Sequence, residues 1–332
     1  MSLPLRFPYA PMEAESVPAL PSGREWQYEP KWDGFRCLAF RDGESVRLQS
    51  KAGKPLGRYF PDVVEALGAL SARRFVLDGE IVIPVDGRLS FDELLLRVHP
   101  AASRVRTLVD AHRARLVVFD LLVDERARSL VALPLAERRE RLAAFARRYF
   151  TRGRAVVLSQ ASRRVSTARE WLAGGGGDLD GVVAKRLDLP YRSGERAGMV
   201  KVKRRRTADC VVGGYRYASK GGGIGSLLLG LYDREGRLDH VGFCSSLPAP
   251  ERRGLREKLE RLRRPPGFTG RAPGGPSRWS TERSAQWEPL APRLVVEVEY
   301  DHVSNRRFRH GTRFVRWRPD KAPRQCTVEQ LQ

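Results

Sequence analysis

The sequence Glu29-Pro30-Lys31-Trp32-Asp33-Gly34-Phe35-Arg36 lies near the start of a chain of 332 residues. Lys31 and Asp33 are two positions apart, so in an extended segment they lie on one face, with a glycine and Arg36 directly beyond. A lysine with the ordinary pKa of about 10.4 is almost fully protonated at neutral pH, and nearby cations or desolvation are needed to free its lone pair. The charges around Lys31 therefore favour its interpretation as a nucleophilic amine.

Further charged and aromatic motifs follow this stretch in a definite order. They are Asp78-Gly79-Glu80, Phe119-Asp120, Asp180-Gly181-Val182-Val183-Ala184-Lys185, Lys201-Val202-Lys203 and Arg318-Pro319-Asp320-Lys321. Taken with the KxDGxR pattern that begins at Lys31, the series resembles the covalent nucleotidyltransferase superfamily, over roughly residues 25 to 325. The sequence contains no GxxxxGK[ST] motif, so a nucleoside triphosphate would not be bound by a P-loop.

Within that superfamily, the elements VVAK, KVKRRRTADCVVGGY and RPDK resemble the compact bacterial ATP-dependent DNA ligases associated with end joining and repair. The resemblance implies an α+β fold, with an adenylation domain of antiparallel sheets and helices followed by a C-terminal OB-fold β-barrel. It also implies a three-step reaction. Lys31 takes AMP from ATP, AMP passes to the 5′-phosphate of a DNA break, and the 3′-hydroxyl displaces AMP. Mg²⁺ would assist, with Mn²⁺ as an alternative.

The same resemblance assigns roles to individual residues. Lys31 and Asp33 would be catalytic, together with Lys201 and Lys203, whose charges would offset those of the phosphates. Phe119 would stack on adenine, Glu80 would hold the ribose, and Glu80 and Asp180 would bind the metal. The other expected nucleotide contacts are Glu29, Pro30, Arg36, Lys51 and Lys185, and, from the second domain, Arg318, Asp320 and Lys321.

Two positions depart from the family pattern. Many relatives have SRxG where this chain has Ser50-Lys51-Ala52-Gly53, and a lysine is a point charge where arginine grips a phosphate with two donors. We therefore expect a weaker or shifted phosphate contact at Lys51. Asp180 replaces the usual glutamate and shortens the carboxylate arm by one methylene. Magnesium geometry is strict, so a closer backbone or an intervening water would be needed there.

Composition points to a polyanionic partner. Lys and Arg number 61 against 39 Asp and Glu, a formal net charge of +22, which favours binding to nucleic acid phosphates. No apolar run of about 18 residues occurs, and the first sixteen residues lack a signal-peptide core, so we expect a cytoplasmic protein without a membrane partner. The four cysteines are far apart, which argues against structural zinc and disulfides.

The chain divides by composition into two predicted domains, residues 1–206 for adenylation and residues 207–332 for the OB-fold. The first is predicted to begin with one long strand, REWQYEPKWDGFRCLAF, paired with SVRLQS. The second is mostly short β-like runs, with one helix at ERRGLREKLERLRR. Loops are predicted at the glycines after Leu172, at GGGIGS and at RPPGFTGRAPGGPSR.

Two alternatives remain open on the sequence. One keeps the covalent step but changes the acceptor, as in an RNA ligase or an mRNA capping guanylyltransferase. The other is a nucleic-acid binder without enzymatic activity that uses a basic OB-fold surface. For the ligase itself the expected partner is nicked or broken duplex DNA, acted on by a monomer, with an end-binding protein such as Ku as a further candidate.

Overall fold

A computed structural model describes residues 3–99, 101–150, 155–174, 179–219, 222–274 and 286–331. The chain separates into two compact units, Met1–Arg204 and Arg205–Gln332. Each unit has its own hydrophobic core. The predicted glycine loops and the predicted Pro/Gly-rich loop lie partly outside the described residues.

The first unit contains eleven of the described strands and five of the described helices. The strands are β1 (Glu15–Ser16), β2 (Trp26–Lys31), β3 (Phe35–Asp42), β4 (Ser45–Ser50), β5 (Arg74–Val82), β6 (Pro84–Val85), β7 (Arg88–Leu89), β8 (Arg115–Val123), β9 (Val156–Leu158), β10 (Gly181–Arg186) and β11 (Met199–Lys203). The helices are α1 (Pro61–Gly68), α2 (Phe91–Arg97), α3 (Ala102–Ala111), α4 (Leu135–Tyr149) and α5 (Val165–Ala173).

Two larger sheets form the first unit, one in the order β4-β3-β5-β8-β9 and one in the order β1-β11-β10-β2. The single long strand predicted across REWQYEPKWDGFRCLAF is therefore wrong: it is two strands, β2 and β3, which belong to different sheets. The break falls at the glycine of the KxDG motif. A Cβ on Gly34 would collide with the carbonyl oxygen of Ile81, so this close passage between the sheets requires glycine.

Helix α4 packs against β8 of the larger sheet, and α5 packs against β10 and β2 of the smaller sheet. In α4 the buried side chains Leu135, Arg138, Leu142, Phe145 and Ala146 recur at three- and four-residue intervals, the pattern of a helix with one face in the core. Residues Ala102–Ala111 form α3, a helix that the hydrophobic pattern did not predict. Three of its residues are buried, Val105, Leu108 and Val109.

The second unit is built on an antiparallel sheet in the order β14-β13-β12-β16-β19, with β15 paired to β12. Its strands are β12 (Arg206–Tyr217), β13 (Ile224–Tyr232), β14 (Leu238–Cys244), β15 (Glu288–Pro289), β16 (Val295–Tyr300), β17 (Val303–Ser304), β18 (Arg307–Phe308) and β19 (Arg313–Trp317). Pairing among the described strands does not close this sheet, so the predicted barrel stays a prediction.

The helix predicted at ERRGLREKLERLRR is interrupted. It consists of two short helices, α6 (Ala249–Arg252) and α7 (Leu255–Arg261), separated at Gly254, whose φ is +63°. A left-handed residue cannot continue a right-handed helix. Leu255 and Leu259 of α7 are buried in the core of the second unit. Two 3₁₀ turns, Pro323–Gln325 and Val328–Leu331, follow the last strand.

Within the part of the chain that the structure describes, no helix combines the length and apolar character needed to cross a bilayer.

A buried ion pair fixes α1 and α2 and generates a stability prediction. Arg97 Nη2 lies 3.0 Å from Asp62 Oδ2, and both side chains are almost fully buried. Asp62→Ala should destabilise the protein by about 3–5 kcal/mol, because it leaves a buried guanidinium without its counter-charge. Chemical denaturation followed by tryptophan fluorescence measures the change.

Glu65→Ala, also on α1, is the matched control. Glu65 pairs with Arg113 at 3.1 Å, but both side chains are exposed, so the loss should be no more than about 1 kcal/mol. Equal losses for the two variants would contradict a special contribution of the buried pair.

Candidate active site

Strand register in the smaller sheet of the first unit places the charged residues of three motifs in two rows. Gly181 of β10 pairs with Lys31 on one side and with Lys203 on the other, and Val183 pairs with Glu29 and with Lys201. Alternate residues of a strand share a face, so both rows lie on the same face of the sheet. Residues separated by more than 150 positions in sequence thereby converge on one surface.

A cavity of about 200 Å³ lies against this face. It is lined by nine of the predicted site residues: Glu29, Pro30, Lys31, Arg36, Lys51, Glu80, Phe119, Lys185 and Lys201. The opposite wall comes from the larger sheet, where Arg36 of β3 pairs with Glu80 of β5. Residues Pro11–Ala14, to which the sequence assigned no role, also line the cavity, together with Trp32, Val183 and Met199.

Lys31 reaches the cavity with about a fifth of its side chain exposed, and its Nζ donates to the carboxylate of Asp180. The backbone N–H of Asp180 donates in turn to the carbonyl of Lys31 at 2.9 Å. Asp180 is buried. The shorter aspartate arm thus still reaches the lysine, because this backbone contact brings the two strand ends together.

An ion pair between Lys185 and Glu29 lies deeper in the cavity. Lys185 Nζ donates to Glu29 Oε2 at 2.7 Å, and Gln27 Nε2 donates to Oε1 at 2.8 Å. Lys185 Nζ also lies 4.4 Å from the ring centre of Phe119, a cation–π contact. Both charges of the pair are buried, so each depends on the other for stabilisation.

Phe119 owes its direction to an irregularity in β8. Asp78 pairs with Asp120 and Gly79 with Val118, so Phe119 has no partner on β5 and forms a bulge. A β-bulge re-aims the side chain at the extra residue. The ring consequently lines the cavity and lies 4.6 Å below the guanidinium carbon of Arg36.

Arg36 is held by Asp78, for which the motif predicted no role, and Asp78 is held in turn by Tyr191. Arg36 Nε and Nη2 donate to the two oxygens of Asp78 at 2.6 and 2.7 Å, and Tyr191 Oη donates to Asp78 at 2.7 Å. Burial works to lower the pKa of Arg36, but the charge and hydrogen bonds of Asp78 outweigh it and raise that pKa above its ordinary value. The guanidinium is therefore fixed and permanently charged.

Glu80 and Lys201 have perturbed acidities. Burial raises the pKa of Glu80 to about 7, against the opposing charges of Arg36 and Lys31. Burial also lowers the pKa of Lys201, and the neighbouring cations Lys31 and Lys51 lower it further. Perturbed groups that line one cavity are typical of functional sites.

The remaining predicted residues do not line the cavity. Lys203 lies in the same row as Lys31, and Asp33 is near enough to Glu80 to raise its pKa. The residues Arg318, Asp320 and Lys321 belong to the second unit. There Arg318 Nη1 and Lys321 Nζ bind the carboxylate of Asp209 at 2.8 and 2.7 Å, and Arg318 also binds Asp320.

Glu13, Asp78, Tyr191 and Asp209 were missed because their partners lie far away in sequence. Asp78 had a signal, since it is the first residue of the Asp78-Gly79-Glu80 motif. Asp209 also had a signal, since it lies within the KVKRRRTADCVVGGY element. Glu13 and Tyr191 carry no pattern of their own, and only the fold brings them to the site.

Comparison with known proteins identifies the class. Residues 11–203 match the family model of the ATP dependent DNA ligase domain, and residues 220–321 match that of the ATP dependent DNA ligase C terminal region. The first match alone covers more than half of the chain. The protein belongs to the ATP-dependent DNA ligase family.

Individual relatives narrow the comparison. DNA ligase C1 of Mycolicibacterium smegmatis is 46% identical, over 100% of this chain and 96% of that protein. The multifunctional non-homologous end joining DNA repair protein LigD of Mycobacterium tuberculosis is 29% identical, over 92% of this chain but 38% of that protein. A structure of mycobacterial DNA ligase D complexed with ATP and MES matches with a TM-score of 0.51 and 28% identity, over 96% of this chain and 98% of that one.

These matches confirm the compact bacterial ligase resemblance and do not favour the RNA-acceptor alternative or the non-enzymatic binder. They also agree with an adenylation unit followed by a C-terminal ligase unit.

The raised pKa of Glu80 generates a prediction for stability against pH. The folded protein holds a proton on Glu80 between about pH 4.5 and pH 7 that the unfolded chain releases. The stabilisation is complete below pH 4.5 and is lost as the pH rises through 7. Glu80→Gln should therefore be more stable than wild type by about 1–3 kcal/mol above pH 8, with the difference disappearing near pH 4.5.

Denaturation midpoints measured from pH 4.5 to pH 9 test this expectation. Glu140→Gln, on the exposed face of α4, serves as the control and should shift stability equally at all pH values. A constant difference for Glu80→Gln as well would mean that its carboxyl group is not perturbed by folding.

Proposed function

We propose that this protein uses ATP to seal breaks between 5′-phosphate and 3′-hydroxyl ends in DNA, with AMP carried on Lys31. The observation that supports the proposal most strongly is the position of Lys31, a nucleophilic side chain in a cavity rich in cations. Arg36, Lys51, Lys185 and Lys201 line the same cavity. Such fixed charges suit phosphoryl transfer, which depends on positioning and electrostatic stabilisation.

In the first step, Lys31 Nζ attacks the α-phosphorus of ATP. The new P–N bond forms as the bond to pyrophosphate breaks, and Nζ loses a proton. The carboxylate of Asp180 contacts Nζ and can orient the amine and accept that proton. Lys201 lies beside Lys31 and offsets the charge that develops on the phosphate oxygens.

Nucleotide recognition is assigned to the walls of the cavity. Phe119 offers an apolar ring for the adenine, and Glu29 with Pro30 lines the same region. Arg36 cannot swing freely, because Asp78 grips it with two hydrogen bonds, so it would contact the nucleotide in a fixed orientation. Glu80, at the junction of the two sheets, is assigned to the ribose.

Glu80 and Asp180 are the residues that would hold magnesium. Both are carboxylates, both face Lys31, and hard oxygen donors are what Mg²⁺ prefers. The raised pKa of Glu80 fits the same assignment, because a carboxyl group poorly solvated by water gains most from a bound cation. When bound, Mg²⁺ would supply positive charge beside the α-phosphate.

Two later steps complete the proposed reaction. An oxygen of the 5′-phosphate attacks the phosphorus of lysyl-AMP, which releases Lys31, and the 3′-hydroxyl then attacks that 5′-phosphate and releases AMP. The residues Arg318, Asp320 and Lys321 are assigned to the first step, where they would orient the departing pyrophosphate.

The likeness to end-joining proteins supports a role in DNA repair. LigD carries that function in its name, and this chain resembles its ligase part. We also propose DNA recombination and replication as settings for this reaction. We propose further that the protein acts as a monomer in the cytoplasm, with an end-binding protein of the Ku type as a candidate partner.

Lys31→Ala separates the first step from the last. With ATP labelled at the α-phosphate, the variant should form no labelled protein and should seal an ordinary nick at least about 10⁴-fold more slowly, because its nucleophile is gone. It should retain part of its sealing of a nick that already carries AMP, since that step does not use Lys31. Gel electrophoresis of labelled protein and DNA measures both.

Lys54→Ala is the matched control, an exposed lysine in the turn that follows Lys51. It should form the adduct and seal nicks as the wild type does. Full adduct formation by Lys31→Ala would overturn the proposal, and labelling of the wild type by GTP alone would overturn the assignment to ATP.

A further inference from the structure

Glu13 lies at the mouth of the cavity and is an acidic residue among cations. Its Oε2 lies 3.0 Å from Lys51 Nζ and 3.4 Å from Arg196 Nη2. The hydrogen bond from Lys51 lowers the pKa of Glu13, so the carboxylate is charged at neutral pH. Glu13 is also less exposed than either partner, with 27% of its side chain exposed against 58% for Lys51.

We propose that the carboxylate of Glu13 occupies a phosphate-binding position on Lys51 and competes with the incoming phosphate group. The inference rests on the proposed function, because it takes Lys51 as a phosphate contact. Carboxylate and phosphate oxygens accept hydrogen bonds from ammonium groups at similar distances. One can therefore take the place of the other.

The backbone holds Glu13 in this place. Its N–H donates to the carbonyl of Glu195 at 2.8 Å, and Val17 N–H donates to the carbonyl of Lys201 at 3.1 Å. Between them, β1 pairs in parallel with β11. The backbone is thus anchored at residue 13 and again at residues 15–17, which keeps Glu13 beside the cavity.

Several cations lie near Glu13, so its single carboxylate lowers the positive charge that an incoming phosphate meets. Lys31, Lys51, Lys203 and Arg196 all lower the pKa of Lys201, so these cations share one region. Such a cluster attracts any phosphate, and Glu13 opposes that attraction at its entrance. A phosphate that binds Lys51 must displace Glu13 or lie beside it, and like charges in close proximity repel.

The lysine at position 51 suits this exchange. Arginine would hold a carboxylate through two parallel hydrogen bonds, whereas the ammonium group of lysine is a compact charge with three rotatable donors. Lys51 can therefore leave Glu13 for a phosphate at low cost, since the pair is solvent-exposed.

Glu13→Gln tests the proposal, because it removes the charge and keeps the size of the side chain. Two phosphate sources are compared: ATP, through the KM for formation of the AMP adduct, and nicked duplex DNA, through the Kd for a nick with a 5′-phosphate against one with a 5′-hydroxyl. In at least one of these measurements, the KM or the Kd of the variant should be roughly three- to tenfold lower than that of the wild type at low salt. The decrease should diminish at high salt.

Glu15→Gln provides the matched charge change at an exposed position two residues away, and it should leave both values unchanged. The double variant Glu13→Gln/Lys51→Gln should bind ATP and nicked DNA no more tightly than Lys51→Gln alone, because the Glu13 carboxylate acts through that lysine.

Several outcomes would overturn the inference. The first is an unchanged KM and Kd in Glu13→Gln, and the second is an equal effect of Glu15→Gln. The others are tighter binding that persists when Lys51 is also replaced, and weaker binding by Glu13→Gln. Failure of the wild type to form an adduct with ATP would instead contradict the proposed function, so the two failures are distinguishable.

Discussion

The backbone pairing of Lys31 with Gly181 is the constraint on which the rest of the site depends. This register places Lys31 and Lys203 in one row, on either side of Gly181, and Glu29 and Lys201 in the next, on either side of Val183. It also requires glycine: at a φ of +146°, a Cβ on Gly181 would collide with the carbonyl oxygen of Val202. A shift of one residue would turn every one of these side chains to the opposite face of the sheet.

Ion pairs hold the charged side chains of the cavity in place. Burying an ion is costly unless it is paired and hydrogen-bonded, and the deeper charges each have a partner. Lys185 is paired with Glu29, and Arg36 with Asp78. The site is thereby pre-organised for an anion, because its cations are already held in place and need little rearrangement when a phosphate arrives. Nearer the mouth, Lys51 and Glu13 are more exposed and more easily separated.

The sequence predicted much of the site because its motifs are local. Nine residues selected from short patterns line a single cavity, although they come from several strands. No single pattern predicted that these residues come together, because that depends on which strands pair. The split of β2 from β3, the bulge at Phe119 and the contact of Glu13 with Lys51 all arise from long-range pairing. In the second unit, Gly254 divides a helix that charge and leucine spacing predicted to be continuous.

Mass spectrometry of the intact and digested protein determines whether AMP is attached to Lys31. After incubation with ATP and Mg²⁺, the protein should gain the mass of one AMP group, and fragmentation should place that group on the peptide containing Lys31. Pyrophosphate should remove it, because the first step is reversible. A protein that gains no mass, or that carries AMP on another residue, would contradict the account.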